Sequence, residues 1–226
     1  MTTTAPQYVF FHQETVKTVT SATGRIDRAA RRLLDIVGAG AGLVALAPVF
    51  AATALAIRLE SRGPVFFRQR RVGENGGAFT MYKFRSMVTD AEARKSDLAG
   101  ANRHGEDAVT FKISNDPRIT TVGRFIRKYS IDELPQLWNV LVGDMSLVGP
   151  RPALPEEVAK YTTRERGRLG ARPGITCYWQ IAGRADIDFE GQVALDIRYI
   201  EQQSLWRNLI ILMKTPVAVL TARGAY

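Results

Sequence analysis

The chain has 226 residues, which is enough for one domain with an appendage. Lys and Arg number 31 against 22 Asp and Glu, and the resulting charge of +9 predicts an anionic partner: nucleic acid, an anionic membrane surface or a phosphorylated substrate. The single Cys177 excludes an intrachain disulfide and a cysteine-rich zinc site, and His12 and His104 give no metal cluster. This composition fits a reducing, cytoplasm-facing environment.

Residues 1–24 are rich in Thr and show no hydrophobic period, so the sequence predicts a loosely ordered tail. An uncharged apolar stretch follows at residues 36–57. As one straight helix it would span about 33 Å, enough for the hydrocarbon core of a bilayer. Pro48 lies in its middle, where it removes a backbone hydrogen bond and kinks the helix.

Both flanks of this stretch are basic, and loops rich in Lys and Arg favour the cytoplasmic side. The arginines concerned are Arg25, Arg28, Arg31, Arg32, Arg58, Arg62, Arg68, Arg70 and Arg71. We therefore expect a re-entrant membrane helix, kinked at Pro48, within residues 25–62. An ordinary transmembrane helix with a proline kink remains the alternative. Asp35, just before the apolar stretch, is expected to pair with a neighbouring arginine.

Apolar β-formers on both sides of Asn75-Gly76 predict a β-hairpin. Lys83 and Arg85 share one face of its second strand, because side chains in a strand alternate with a period of two. A short charged helix is predicted at residues 90–99, and a polar loop at residues 100–107.

The helix predicted after Pro117 is amphipathic and leads into the acidic pair Asp132-Glu133. We predict Asp132 as the N-cap of the following helix, because this places Pro135 in the first turn. An acid at that position, next to the basic residues of the preceding helix, is expected to have a lowered pKa and to stay ionised. This suits a nucleophile or a Mg²⁺ ligand, and a simple capping role is the alternative.

Arg151 stands between Pro150 and Pro152, an arrangement that holds a guanidinium ready for bidentate phosphate binding or forms an ordinary turn. A last amphipathic helix is predicted from Trp206 to Leu220, with Trp206 and Arg207 as interfacial anchors.

Six segments of the sequence stand out together, in this order: Gly63-Pro64-Val65-Phe66-Phe67-Arg68-Gln69, Lys83-Phe84-Arg85-Ser86-Met87, Arg127-Lys128-Tyr129-Ser130-Ile131-Asp132-Glu133-Leu134-Pro135-Gln136, Val148-Gly149-Pro150-Arg151-Pro152, Arg172-Pro173-Gly174-Ile175-Thr176 and Arg223-Gly224-Ala225-Tyr226. In these segments and their order, residues 25–226 resemble the bacterial sugar transferase family, the small monotopic phosphoglycosyl transferases. The resemblance implies an α+β, mainly helical monotopic membrane protein with a re-entrant helix, a hairpin and interfacial amphipathic helices. It also implies a catalytic domain over residues 63–226, on the cytoplasmic face of the bacterial inner membrane.

The resemblance further implies transfer of a sugar-1-phosphate from a UDP-sugar to a polyprenyl phosphate such as undecaprenyl phosphate, the first membrane step of exopolysaccharide assembly. Asp132 would be the nucleophile, and Glu133 would bind Mg²⁺ with it or assist proton transfer. The residues expected to bind phosphate or nucleotide are Lys83, Arg85, Arg127, Arg151, Pro150 and Pro152. Expected partners are membrane lipids and, as in large members of the family, further copies of the chain.

A non-enzymatic basic protein that binds membrane or nucleic acid is the alternative. It explains the net charge but leaves the acidic pair without a purpose. Nucleic acid is disfavoured as a partner because the basic residues are scattered among the motifs and not gathered on one polar face.

Overall fold

A computed structural model describes residues 22–94, 109, 113, 116–183 and 187–221. Helices dominate these residues, beside two small two-stranded sheets, so the predicted mainly helical α+β class is confirmed. Most of the predicted tail, the polar loop at residues 100–107, both histidines and the terminal Arg223–Tyr226 lie outside the described residues. The described start of the predicted charged helix, up to Arg94, forms turns.

The helices are α1 (Ala22–Ala45), α2 (Ala47–Glu60), α3 (Thr121–Lys128), α4 (Gln136–Val142), α5 (Pro155–Lys160), α6 (Thr163–Arg166), α7 (Tyr178–Ala182), α8 (Phe189–Gln202) and α9 (Leu205–Thr221). The strands are β1 (Phe66–Val72), β2 (Ala78–Phe84), β3 (Ser146–Val148) and β4 (Gly174–Thr176). Strands β1 and β2 pair antiparallel, and β3 pairs with β4 in parallel.

The apolar stretch is broken into two helices that meet at 59°, with the break at Leu46. Pro48 lies in the first turn of α2, where its missing N–H has no intrahelical partner to lose. Within the described residues no single helix is long and apolar enough to cross a membrane. The bent pair of α1 and α2 together has the length and composition for this.

Asp35 and Arg32 are two of the polar side chains that fasten helix α1 to the rest of the fold. Asp35 accepts hydrogen bonds of 2.9 Å from the Ser146 hydroxyl and from the Leu147 amide at the start of β3. Arg32 donates to the carbonyl oxygens of Val140 and Leu141 at the end of α4, at 2.7 and 2.8 Å. The predicted ion pair between Asp35 and a neighbouring arginine is therefore wrong, because Asp35 binds β3 and Arg32 binds the end of α4.

Packing also makes α1 part of the main core. Ala39 is fully buried there, beside Val140 and Met145. The expected boundary between residues 25–62 and the remainder stays a prediction, and both core clusters of the described residues contain side chains from each side of it.

The predicted hairpin is confirmed. Asn75 and Gly76 both adopt left-handed backbone angles, with φ of 54° and 82°, as a tight turn between twisted strands requires. Phe84, at the end of β2, is buried against Ile57 of α2 and Ile126 of α3. The hairpin is thereby held against the second helix of the bent pair.

Helix α3 has the predicted amphipathic character, since Ile126 is buried whereas Arg124 and Lys128 are exposed, although Phe125 is exposed as well. Its first turn is capped by Thr120 and also by the carboxylate of Glu60, from the end of α2. Glu60 accepts hydrogen bonds from the amides of Thr121 and Val122, at 2.7 and 3.1 Å. Such a carboxylate satisfies amides that have no intrahelical acceptor.

The short parallel sheet brings two glycines into backbone contact. A Cβ atom on Gly174 would lie 2.0 Å from the Gly149 nitrogen, and one on Gly149 would lie 2.3 Å from the Arg172 carbonyl oxygen. Any side chain at either position would therefore push β3 and β4 apart. The segment Pro150–Pro152 follows directly after this contact, so its position depends on the two glycines.

We expect Gly174→Ala to destabilise the fold by about 2 kcal/mol or more, because the added methyl group overlaps backbone atoms that cannot rotate away. Gly40→Ala is the matched control: nothing lies within 4 Å of its added Cβ, and alanine favours a helix by about 1 kcal/mol over glycine. Thermal unfolding of both purified variants measures the difference. Equal unfolding temperatures would contradict this account of the glycine contact.

Candidate active site

The acidic pair lies on a short 3₁₀ turn, Ile131–Glu133, between α3 and α4. Ser130 precedes the turn with a left-handed backbone (φ 55°) and redirects the chain after α3. Helix α4 begins only at Gln136, with Pro135 just before it. The prediction that Asp132 caps this helix is therefore wrong, because the 3₁₀ turn separates it from the helix start.

Glu133 is the paired member of the two carboxylates. Its Oε1 accepts a 2.6 Å hydrogen bond from Lys83 Nζ of β2, and Arg151 Nη1 lies 3.4 Å from the same oxygen. Burial alone would raise the pKa of Glu133, but Lys83 and Arg151 outweigh it and lower the pKa to about 2. Glu133 is therefore a fixed anion at neutral pH.

Asp132 is also buried, with 7% of its surface exposed, but it makes no hydrogen bond or ion pair with any residue that the structure describes. Burial raises its pKa to about 6, and the negative charge of Glu133 acts in the same direction. Lys83, Arg127 and Arg151 oppose this rise without cancelling it. The expected lowering of the Asp132 pKa is therefore wrong, since loss of hydration outweighs the nearby cations.

The loop that carries Arg151 is fixed from both sides through the carbonyl oxygens of its prolines. Pro152 O accepts a 2.8 Å hydrogen bond from Arg71 Nη1, and Pro150 O accepts one of 2.9 Å from the Gly174 amide. Burial lowers the pKa of Arg71 to about 10, and the neighbouring charge of Arg151 acts in the same direction. Arg71 thus holds the loop with one nitrogen and Gln69 with the other two, at 2.6 and 3.1 Å, while Arg151 contacts Glu133.

Arg127 and Arg85 differ in what they contact. Arg127, in the last turn of α3, forms no ion pair with a described residue, and its charge acts on Asp132 and Asp116. Arg85 donates to the carbonyl oxygens of Ser61 and Arg62, at 2.8 and 3.0 Å, and so braces the end of α2. A phosphate contact from Arg85 stays a prediction that these hydrogen bonds do not favour.

A cavity of about 800 Å³ opens onto these groups. The predicted site residues that line it are Lys83, Arg85, Arg127, Asp132, Glu133, Arg151 and Pro152. Pro150 lies behind it, at a much smaller neighbouring hollow. The structure therefore brings two carboxylates and several fixed cations from four separate segments to one cavity, an arrangement suited to binding and attacking a phosphate.

In the described parts of the chain, no group of three or more Asp, Glu, His or Cys side chains is arranged to hold a metal ion. Mg²⁺ commonly takes only one or two carboxylates and completes its shell with water and substrate phosphates. Asp132 and the second carboxylate oxygen of Glu133, which makes no hydrogen bond to a described residue, fit this smaller donor set. Magnesium at these two residues stays a prediction.

Six further cavity residues are not among the predicted site residues: Gln69, Arg71, Tyr161, Arg168, Trp179 and Gln180. The hairpin register contained a signal for two of them. Phe67 pairs with Lys83, so the period of two along β1 puts Gln69 and Arg71 on the same face as Lys83. The other four come from distant segments and carry no local pattern that indicates a site.

The profile of the bacterial sugar transferase family matches residues 26–222 of this chain. Galactosyl transferase CpsE of Streptococcus agalactiae is 49% identical over 197 residues, which cover 87% of this chain and 43% of that protein. Exopolysaccharide production protein ExoY of Rhizobium meliloti is 38% identical over 209 residues, 92% of each chain. Undecaprenyl-phosphate galactose phosphotransferase of Salmonella typhimurium is 40% identical over 222 residues, 97% of this chain and 46% of that one. This chain thus spans less than half of the Streptococcus and Salmonella proteins and nearly all of ExoY.

We expect Asp132→Asn to raise the unfolding temperature at pH 7–8. A carboxyl whose pKa rises from 3.8 to about 6 on folding destabilises the fold once it is ionised, by up to about 3 kcal/mol. The sign follows from proton binding: the folded protein holds this proton more tightly than the unfolded chain, so the penalty is absent below pH 3.8 and complete above pH 6.

The gain from Asp132→Asn should accordingly shrink as the pH falls from 6 to 4. Asp90→Asn is the control, since that carboxylate is exposed and its pKa is lowered by Arg94, so its replacement should bring no gain. Thermal unfolding at several pH values measures both. An Asp132→Asn protein that is no more stable than the wild type at pH 8 would contradict the buried, unpaired state of Asp132.

Proposed function

This chain belongs to the bacterial sugar transferase family, and from that premise we propose that it transfers a sugar-1-phosphate from a UDP-sugar to a polyprenyl phosphate. The relatives support this reading through their names, one of which is an undecaprenyl-phosphate galactose phosphotransferase and another an exopolysaccharide production protein. The observation that carries the proposal is the unequal carboxylate pair. Glu133 is neutralised by Lys83 and Arg151, while Asp132 lines a cavity of about 800 Å³ and makes no hydrogen bond or ion pair with the described residues.

The transfer proceeds in two displacements at phosphorus. A carboxylate oxygen of Asp132 attacks the β-phosphorus of the UDP-sugar, and the bond from this phosphorus to the bridging oxygen breaks, which releases UMP. The sugar phosphate is then held on Asp132 as an acyl phosphate. An oxygen of the polyprenyl phosphate attacks the same phosphorus, the bond to Asp132 breaks, and the product is a polyprenyl diphosphate sugar.

Both steps bring anions together, so their barriers depend on fixed positive charge. Lys83, Arg127 and Arg151 supply this positive charge from three segments of the chain. With a pKa of about 6, Asp132 is mostly ionised at neutral pH and yet more basic than an exposed aspartate. Its lone pair is therefore available and comparatively nucleophilic.

We also propose that Mg²⁺ binds with the donor, held by Asp132 or Glu133 together with the diphosphate oxygens. The ion would supply charge neutralisation for the phosphates, while Lys83 and Arg151 keep Glu133 ionised and oriented as a ligand.

We further propose that the bent pair of α1 and α2 is re-entrant, with both ends at the cytoplasmic face and the catalytic residues beside it. Large apolar side chains are exposed along this pair and along α9: Leu33, Val37, Val44, Leu55, Leu59, Trp206, Met213, Val217 and Leu220. A bilayer would cover such surface, and the basic flanks of the pair would lie at anionic headgroups. A polyprenyl phosphate in that leaflet would present its phosphate at the level of the cavity.

A trapping experiment tests the nucleophile. Purified wild-type protein given a UDP-sugar radiolabelled in the sugar, without lipid acceptor, should retain label covalently and release UMP. Asp132→Asn should do neither, because the amide nitrogen and oxygen cannot replace the attacking carboxylate. Asp188→Asn is the matched control: Asp188 caps α8 through the Gly191 amide, and asparagine caps equally well.

Transfer activity of Asp132→Asn within a few-fold of the wild type would discard the covalent mechanism. Label retained by the Asp132→Asn protein would move the nucleophile to another residue.

The re-entrant topology is tested by labelling Thr20→Cys and Arg62→Cys, made separately in a Cys177→Ala background. Arg62 is exposed just beyond α2, whereas Cys177 is buried. In intact cells a membrane-impermeant thiol reagent should label neither position. In permeabilised cells it should label both. Labelling of one position alone in intact cells would indicate a helix that crosses the membrane.

A further inference from the structure

Three buried side-chain polar atoms lack a hydrogen-bond partner among the described residues, and all of them lie on α7 and α8. They are Trp179 Nε1, Gln180 Oε1 and Asp196 Oδ1. Unpaired polar atoms cost free energy when buried, so each such atom calls for a partner. Trp179 and Gln180 line the cavity that contains the acidic pair, whereas Asp196 has no exposed surface.

The protein itself accounts for two of these atoms. Burial raises the pKa of Asp196 to about 6, against the effects of Arg168 and of the Trp179 indole N–H. Trp179 and Asp196 therefore face each other, and Arg168 closes the group with a 2.7 Å ion pair to Asp196. Gln180 Oε1 has no hydrogen-bond partner among the described residues, and Gln180 lines the cavity.

Gln180 lies on the side of the acidic pair where Arg151 stands. The Gly149 amide donates a 3.0 Å hydrogen bond to the Thr176 carbonyl oxygen, so the loop of Arg151 lies beside the start of α7, and Gln180 is in the first turn of this helix. Arg127, whose charge acts on Asp132 and Asp116, approaches from α3 instead. Arg127 and Arg151 therefore reach the cavity from different segments, and near Arg151 the cavity wall adds uncharged groups such as Trp179 and Thr176.

We infer that the side-chain amide of Gln180 hydrogen-bonds to a ring hydroxyl of the sugar that is transferred, which rests on the proposed function. An amide both accepts and donates, and this matches a hydroxyl group. The sugar is bonded directly to the reacting phosphate group, whereas the uracil is separated from it by a second phosphate and a ribose. Gln180 is a neutral group on α7, next to the loop that carries Arg151. It is therefore placed to meet the sugar before the uracil.

Gln180 is thus a specificity-determining residue. A site that is built to hydrogen-bond a hydroxyl discriminates strongly against a substrate without it, because the buried amide is then left unpaired.

The test combines Gln180→Met, which removes the amide and keeps the length of the side chain, with a series of UDP-sugars that each lack one ring hydroxyl. With the wild type, we expect one member of the series to lose roughly tenfold or more in kcat/KM relative to the complete sugar. Gln180→Met should lower kcat/KM for the complete sugar by a similar factor. For this variant, removing the hydroxyl from the substrate should lower kcat/KM no further. Affinity for UMP, which contains no transferred sugar, should be unchanged.

Gln202→Met, at the exposed end of α8, is the control for the substitution itself. Gln180→Asn is the second variant in case Gln180→Met folds poorly, because it keeps the amide but withdraws it by one methylene. With Gln180→Asn, too, the missing hydroxyl should cause no further loss of kcat/KM.

Equal penalties in wild type and variant for every analogue would overturn the assignment, because the two changes would then act independently. A matching loss of UMP affinity would also overturn it, since Gln180 would then hold the nucleotide. Wild-type protein that releases no UMP from any UDP-sugar would instead overturn the proposed function. If the wild type is active but the Gln180 substitution and the missing hydroxyl act independently, only the role of Gln180 is overturned.

Discussion

Two carboxylates adjacent in sequence cannot both be buried as unpaired anions, and this constraint governs the centre of the molecule. Lys83 resolves it by pairing with Glu133 at 2.6 Å, with Arg151 as a second cation. Removing a partner from a buried pair leaves an uncompensated charge, which costs about 3–5 kcal/mol in typical proteins. Asp132 is left as the carboxylate with the raised pKa, so the ion pair next to it makes the two carboxylates unequal.

This arrangement depends on segments distant in the chain that meet with little freedom. The hairpin carries Lys83 and also Arg71, which holds the carbonyl oxygen of Pro152. The contact between Gly149 and Gly174 places the same loop from its other side. The backbone of Arg151 is therefore held by the Arg71 side chain on one side and by the Gly174 amide on the other.

The parts of the fold that depend on neighbouring residues were predictable: the hairpin turn at Asn75-Gly76, the break beside Pro48 and the amphipathic helix before the acidic pair. Family resemblance, not local pattern, singled out Asp132 and Glu133 as more than a helix cap. Burial reversed the expected pKa shift of Asp132, and burial is set by elements far along the chain. The contacts of Arg85 and Gln180 were likewise beyond a reading of the sequence, because the partner or the open space is supplied by another segment.

The carboxylate of Glu60 joins the bent pair to α3, the helix that holds Arg127. This contact links the position of α2 to the position of the helix that carries Arg127. Free energies linked through a common contact act reciprocally. If α2 lies in a bilayer, as we propose, a lipid thickness that tilts this helix would change the affinity for an anion beside Arg127, and a bound anion would resist that tilt to the same extent.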